Sequence, residues 1–300
     1  MKKRVCVLLS TYNGEKYLDE QLDSLIRQEN VDIDILVRDD GSTDSTCRIL
    51  EQWQQKGLLR WYSGGNKGFA MSFMDLVHNS DGYDYYAFCD QDDIWLPNKL
   101  DVAIGHLAML QNPNKLYCSN AFYFKNGENY GLIKKHIPEY NIYTCLLKNI
   151  APGCTMVFNS GLKRILSSKM PQSIIAHDFW VYQVAVLFGE VFYDGNSCIL
   201  YRQHENNQIG AKTGIVEKWK RRITSLFISS EKGSRALQAK ELLKCYDDAM
   251  DLKTHQTVSC VAEYKKNIWT RSKLFFNGRF TMGRPVNNVL LRMRIVLGKL

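Results

Sequence analysis

The chain has 300 residues, 45% of them apolar, with 39 basic and 31 acidic side chains, enough for one α/β catalytic domain plus a tail. Its formal charge of +8 is uneven: residues 1–210 carry 20 basic and 24 acidic side chains, residues 211–300 carry 19 and 7, so an anionic partner belongs to the last third. No zinc-ligand spacing or RNA-recognition signature accompanies that charge, which argues against nucleic acid.

The nine cysteines form no Cys-x-x-Cys pair, and several lie in apolar runs such as Val5-Cys6-Val7-Leu8-Leu9. They read as buried reduced thiols, which implies a reducing, cytoplasmic setting. Met1-Lys2-Lys3-Arg4 runs straight into a short strand-like segment instead of a signal-peptide core, and no apolar stretch is long enough to span a bilayer.

In chain order, Val5–Ser10 predicts a strand, and Gly14–Gln28 a helix with Tyr17, Leu18, Leu22, Leu25 and Ile26 on one face. Ile33–Val37, Leu58–Tyr62 and Tyr85–Cys89 predict further strands, alternating with helices over Ser45–Gln55, Gly68–Val77 and Asn98–Leu110. Such alternation implies a Rossmann-like, mostly parallel sheet flanked by helices. Beyond Asn112 the pattern predicts a strand over Leu116–Phe124, a loop over Lys125–Gly131, a strand over Thr155–Phe158, a helix over His177–Phe188 and a strand over Ser197–Arg202. Two domains are expected: 1–210, catalytic, and 211–300, a helical basic C-terminal extension.

Ligands of open α/β sheets sit beyond the carboxyl ends of the strands. The first, second and fourth strands end in Ser10-Thr11-Tyr12-Asn13, Asp39-Asp40-Gly41-Ser42-Thr43-Asp44 and Asp90-Gln91-Asp92-Asp93. The third ends at Ser63-Gly64-Gly65-Asn66-Lys67-Gly68, whose glycines admit close backbone approach to a ligand. Each cluster alone could be an ordinary turn, but so many carboxylates on one rim repel unless a cation or donor groups accept them. Asp90 and Asp92 can converge on a hard divalent ion able to bridge diphosphate oxygens, whereas Asp93 suits the cap of a helix beginning near Pro97.

Taken in order, Val7-Leu8-Leu9-Ser10-Thr11-Tyr12-Asn13-Gly14, Arg38-Asp39-Asp40-Gly41-Ser42-Thr43-Asp44, Asn66-Lys67-Gly68 and Asp90-Gln91-Asp92 resemble family 2 glycosyltransferases of the GT-A fold, over about residues 4–205. The resemblance implies that Thr11, Tyr12 and Asn13 line a nucleotide pocket, that Asp39 accepts from the pyrimidine N3–H, and that Asp40 supports the loop or ribose, with Gly41 also in the donor site. It places Lys67, Gly68, Asp90, Gln91 and Arg202 in the donor site, with Arg202 neutralising a phosphate. Asp92 and His204 become ligands of Mn²⁺ or Mg²⁺. Asp178, in Ala176-His177-Asp178-Phe179-Trp180 at a helix start, becomes the base that deprotonates the acceptor hydroxyl; simple N-capping is its structural alternative. The family usually carries Glu-Asp there, and His177-Asp178 is a variation of rhamnosyltransferase-like members. His177 itself reads as structural, and Trp180, in helical spacing with Val184 and Leu187, as core.

The resemblance therefore implies an inverting, metal-dependent transferase of bacterial surface polysaccharide synthesis, with L-rhamnose from dTDP-rhamnose as the leading donor. Glucosyl, galactosyl or N-acetylhexosaminyl transfer from a UDP-sugar is the alternative, and a catalytically silent glycan- or nucleotide-binding module is a rival from another class. A dinucleotide-dependent oxidoreductase is disfavoured because the first turn lacks Gly-x-Gly-x-x-Gly. The tail, with nine Lys and Arg and no acidic residue after Glu263, interleaves Ile268, Trp269, Leu274, Phe275 and Phe276 with its charges. It suits an anionic membrane surface at the inner face of the cell membrane, and hence a glycan or polyprenyl-diphosphate-linked acceptor; packing on the domain is the alternative.

Overall fold

The computed structural model of the chain describes residues 2–203 and 234–300. They fall into two compact units. One comprises 2–138, 151–170 and 176–203; the other comprises 139–150, 171–175 and 234–300.

The first unit is built on β1 (Lys3–Thr11), β2 (Val31–Asp39), β3 (Arg60–Ser63), β4 (Tyr85–Cys89), β6 (Lys115–Ser119), β9 (Val157–Asn159) and β10 (Glu190–Asp194), in the sheet order β10-β6-β9-β4-β1-β2-β3. All neighbours run parallel except β9, which is antiparallel to β4 and β6. Val5 to Leu9 are wholly buried because a central parallel strand is covered on both faces, which is why this segment reads as an unbroken apolar run. Helices α1 (Leu18–Ile26), α2 (Thr46–Gln55), α3 (Phe69–His78), α4 (Lys99–Met109), α5 (Ser160–Ser168) and α6 (His177–Phe188) accompany the strands.

Register decides where the polar turns go. Thr11 lies beside Asp39 across β1 and β2, and Leu9 beside Cys89 across β1 and β4, so the turns that follow all three strands emerge at one edge. A second, four-stranded sheet completes that edge: β5 (Ile94–Trp95), β11 (Ile199–Arg202), β7 (Phe122–Lys125) and β8 (Glu128–Leu132), in the order β5-β11-β7-β8.

The structure departs from sequence expectation in this region. The single strand expected over Leu116–Phe124 is two strands in two sheets, divided at Asn120, whose side-chain amide donates to the carbonyls of Lys134 and Gly195 at 2.7 and 3.3 Å. Apolar periodicity continues through the corner, so only the tertiary partners reveal it. The loop expected over Lys125–Gly131 is the tight turn and return strand of a hairpin. Asn126 and Gly127 both take positive φ, 52° and 83°, as a two-residue turn between right-twisted strands requires. Neither β10 nor α5 is anticipated by the pattern; α5 starts at Asn159, whose side chain accepts from the Leu162 amide.

The second unit is helical over its described C-terminal residues: Arg235–Tyr246, Leu252–Ala262, Ile268–Phe276 and Pro285–Val296. Asn267 and Thr270 form a reciprocal capping box at the third helix. Leu274, Phe280, Leu291 and Ile295 are buried, and Arg292 donates to the carbonyls of Leu274, Asn277 and Phe280 at 3.0 to 3.2 Å, tying the last helix to the end of the one before it.

Candidate active site

The turns after β1 and β2 are stitched together by side chains. Asp39 is fully buried. Its carboxylate accepts from Thr11 Oγ1 at 3.0 Å, from the amides of Gly41 and Ser42 at 3.0 and 2.8 Å, and from Ser42 Oγ at 2.5 Å. Gly41 has φ +92°, which lets the chain curl over that carboxylate. Asn13 donates its amide to Ser42 Oγ at 2.8 Å and accepts from the Thr43 amide at 2.8 Å, and the Gly14 amide donates to Thr46 Oγ1 at 2.8 Å. Both Asp39 oxygens are thus occupied, and a pyrimidine N3–H would have to displace a hydroxyl to reach one.

Asp40 supports the neighbouring loop. The buried Arg38 guanidinium pairs with Asp40 and, at 3.1 Å, with Asp75, and donates to Ser72 Oγ and the Gly65 carbonyl at 3.0 Å. Asp40 in turn accepts from the backbone amides of Lys67 at 3.2 Å and Gly68 at 3.0 Å. Gly68, with φ +77°, stands at the cap position of α3, while the Lys67 ammonium turns to Asp75 at 3.0 Å. The third expected turn is therefore held to the second by an internal ion pair.

The fourth turn is clasped to the first. The Gln91 side chain accepts from the Tyr12 amide at 2.8 Å and donates to the Tyr12 carbonyl at 3.1 Å, as a neighbouring strand would. Gly14 lies against it, so a Cβ there would come within 2.6 Å of Gln91 Cδ. The Tyr12 ring is about half exposed and is available to a planar ligand.

Acidic groups crowd beside this clasp. The Asp90 carboxyl is pushed up to about 7 by burial and by the charges of Asp92 and Asp178. Asp93 is fully buried and likewise raised, by burial and by Asp92 and Asp90. Asp178, in the first turn of α6, accepts from the Phe179 amide at 2.6 Å. Asp90 and Asp92 from the turn after β4 and Asp178 from α6, two distant segments of the sequence-expected site, are therefore close enough to feel one another.

Arg202 secures the same turn from β11. Its amide donates to Asp93 Oδ1 at 3.0 Å, its Nε donates to the Asp92 carbonyl at 2.7 Å, and its guanidinium pairs with Glu20. The side chain expected to neutralise a phosphate is engaged here with the acidic turn and Glu20. Asp93 is no helix cap, since α4 begins only at Lys99 after Asn98. His204 lies outside the described residues.

Two participants escape sequence reasoning, and a third, His177, matches its expected role. Cys154, in the 3-10 turn Gly153–Thr155, offers Sγ within 4.8 Å of carboxylate oxygens of Asp90 and Asp93. Burial and those carboxylates push its thiol far up, so it stays S–H and serves as a donor to them. Lys99 is buried behind Asp93 with Nζ 3.3 Å from the Trp95 ring centroid, and burial brings it down to about 8. His177 is buried, stacked on Phe73 at 3.9 Å and edge-on to Phe88 and Phe69; burial alone depresses it to about 3. A neutral ring held among aromatics is structural, as its sequence context suggests.

The donor set suits a hard cation. Oxygen is the ligand type Mg²⁺ and Mn²⁺ prefer, and the mutual repulsion of Asp90, Asp92 and Asp93 is what a divalent ion relieves. The tight trio is Asp90, Asp93 and Cys154; Asp92 acts on it through its charge. A protonated thiol is a poor ligand, which leaves the carboxylates as the fitting partners.

A mostly parallel sheet whose strand ends gather a carboxylate cluster at one edge is an α/β architecture of the kind that binds ligands there. The chain belongs to glycosyl transferase family 2, whose profile matches residues 6–175. A dTDP-rhamnosyl transferase, RfbG of Shigella flexneri, is 36% identical over 227 residues, covering 71% of this chain and 77% of its own. Among solved structures, S. aureus TarS 1-349 in complex with UDP-GlcNAc superposes with a TM-score of 0.58 at 17% identity, covering 100% of this chain and 90% of its own. The mannosyltransferase PcManGT of Pyrobaculum calidifontis, in complex with GDP-Man and Mn²⁺, gives 0.54 at 15% identity, covering 99% and 86%. The first unit has the GT-A fold of those glycosyltransferases, and this protein is a glycosyltransferase.

Proposed function

We propose that the protein transfers L-rhamnose from dTDP-rhamnose, with inversion, to an acceptor hydroxyl during synthesis of a bacterial surface polysaccharide. The convergence of Asp90, Asp92 and Asp178 at the mouth shared by β1, β2 and β4 carries this reading, because it sets a cation-seeking cluster beside a potential base. Likeness to the S. flexneri dTDP-rhamnosyl transferase favours the donor, as does the His177-Asp178 pair. Residues 1–210 are the proposed catalytic domain and 211–300 its extension.

In this reading Thr11, Tyr12 and Asn13, with Asp39 and Gly41 beneath them, form the nucleotide side of the cleft. Asp40 fixes Lys67 and Gly68 along it. Gln91 and Arg202 hold the acidic turn. Asp90 and Asp92, with His204, would hold Mn²⁺ or Mg²⁺, which when bound offsets the charge of the donor diphosphate. Asp178 accepts the proton of the acceptor hydroxyl as its oxygen attacks the anomeric carbon from the face opposite the departing nucleotide. A single displacement of this kind inverts the anomeric centre and needs no protein nucleophile.

The acceptor is a glycan or polyprenyl-diphosphate-linked glycan, and the enzyme works at the inner face of the cell membrane. The proposed attachment is peripheral, through the basic C-terminal extension; no described helix is long and apolar enough to cross a membrane. Donor affinity and transfer, measured with dTDP-rhamnose, UDP-glucose, UDP-galactose and UDP-N-acetylglucosamine with and without Mn²⁺, test the proposal. Asp92→Ala should abolish metal-dependent donor binding. Asp178→Asn should bind donor normally and lose transfer; full transfer by this variant removes the base assignment, and preference for a UDP-sugar replaces the donor. Donor binding with no turnover on any acceptor would support the silent module.

A further inference from the structure

We propose that the outer faces of the last two helices, Ile268–Phe276 and Pro285–Val296, form an insertion surface for an anionic lipid bilayer. The inference deepens the peripheral location proposed above and rests on it. Trp269 and Phe276 are 80% and 79% exposed. Seven residues apart, they lie on one side of their helix, roughly 20° from coincidence at 100° per residue. Val286, Val289, Met293 and Val296 are also exposed and fall within about 80° on the next helix.

These residues are not a core left open. The inner positions Leu274, Leu291 and Ile295 are already buried, and Arg292 fastens the two helices through three carbonyls. Among the described residues, the outward apolar side chains of both helices stay exposed rather than joining the unit's core, and an external partner would cover them. Exposed Lys265, Lys266, Lys273, Arg279 and Arg284 lie in the same region, where no acidic residue follows Glu263. A second copy of the chain would bring like charges together, whereas anionic headgroups complement them. An indole and a phenyl ring among lysines and arginines suit the boundary between headgroups and acyl chains.

Co-sedimentation of the full chain with phosphatidylglycerol–phosphatidylcholine vesicles, against phosphatidylcholine alone, tests the surface. Binding should need the anionic lipid and weaken with salt, and brominated acyl chains should quench wild-type tryptophan fluorescence. The double variant Trp269→Ser/Phe276→Ser should lose roughly tenfold or more of vesicle affinity, and Lys266→Glu/Lys273→Glu should lose its dependence on anionic lipid. Transfer to a water-soluble acceptor, measured in the same preparations, should be unchanged. If that transfer is absent in the wild type while vesicles still bind, the enzymatic reading fails and the surface stands. Equal binding to neutral vesicles, no quenching, undiminished affinity of the aromatic variant, or a dimer that the same variant dissociates would overturn the proposal.

Discussion

Replacing Arg38 by methionine tests whether the donor loop is held by a buried ion pair. The Arg38 side chain is only 2% exposed, and its partners Asp40 and Asp75 are 5% and 18% exposed. Removing one member of such a network costs about 3–5 kcal/mol, because the remaining charge stays buried without compensation. Asp75 keeps the Lys67 ammonium at 3.0 Å and the Tyr62 hydroxyl at 2.9 Å, so most of the cost falls on Asp40, left with two backbone amides. The lower end, about 3 kcal/mol, is expected, equivalent to roughly 6–12 °C in melting temperature. Urea unfolding, with hydrogen exchange at the β1 and β4 amides to read the first unit separately, measures it. Adding Asp40→Asn should recover much of the loss, because the orphaned charge disappears. The Michaelis constant for donor should rise in the single variant, since Lys67 and Gly68 are no longer pinned. A loss below about 1 kcal/mol, or strictly additive effects of the two substitutions, would refute the buried network as the anchor.

Three further outcomes follow from the site. Gln91→Leu and Gly14→Ala should both weaken donor binding, the first by removing the two Tyr12 hydrogen bonds and the second by displacing the Gln91 amide; isothermal titration with nucleoside diphosphate checks this, and unaltered affinity in both removes the clasp. A divalent ion should raise the melting temperature more at pH 8 than at pH 5, because the Asp90 carboxyl, lifted to about 7, still holds a proton at the lower value. Without metal the sign reverses: a raised carboxyl stabilises the fold at low pH and loses that contribution as pH rises through about 7. Thermal melts with Mg²⁺ and with chelator distinguish the two, and a metal effect independent of pH contradicts the cluster. His177→Phe should keep transfer activity and gain acid resistance. The buried imidazole, depressed to about 3, favours the fold above its ordinary value of 6.5 and withdraws that support as pH falls towards 3, by about 2 kcal/mol at pH 5. Equal acid unfolding of variant and wild type, or lost transfer, would count against a purely structural ring.

Apart from the two-residue strand β5, the order of strands and helices through Leu110 was legible because each element carries its own period: a covered central strand is apolar throughout, and a surface helix is apolar on one face. The polar turns after β1, β2 and β4 were legible too, since a parallel sheet sends strand ends to one edge whatever the loops contain. The corner at Asn120, the hairpin return over Glu128–Leu132 and strand β10 were not, because their apolar patterns depend on which of two sheets receives them.

For the site, sequence determined which residue types gather and tertiary structure decided what each one touches. Asp39 and Arg202 read as ligand-facing groups and Asp40 as a loop support, and only the fold shows that Asp39 meets donors from Thr11, Gly41, Ser42 and Cys47, that Asp40 pairs with a buried arginine, and that Arg202 is fastened to the acidic turn. Cys154 and Lys99, which read as plain core and helix residues, stand behind the carboxylates because β9 and α4 pack there. Local chemistry is written in neighbouring residues, whereas the field at a carboxylate is the sum of charges brought from distant segments, and only folding fixes those distances.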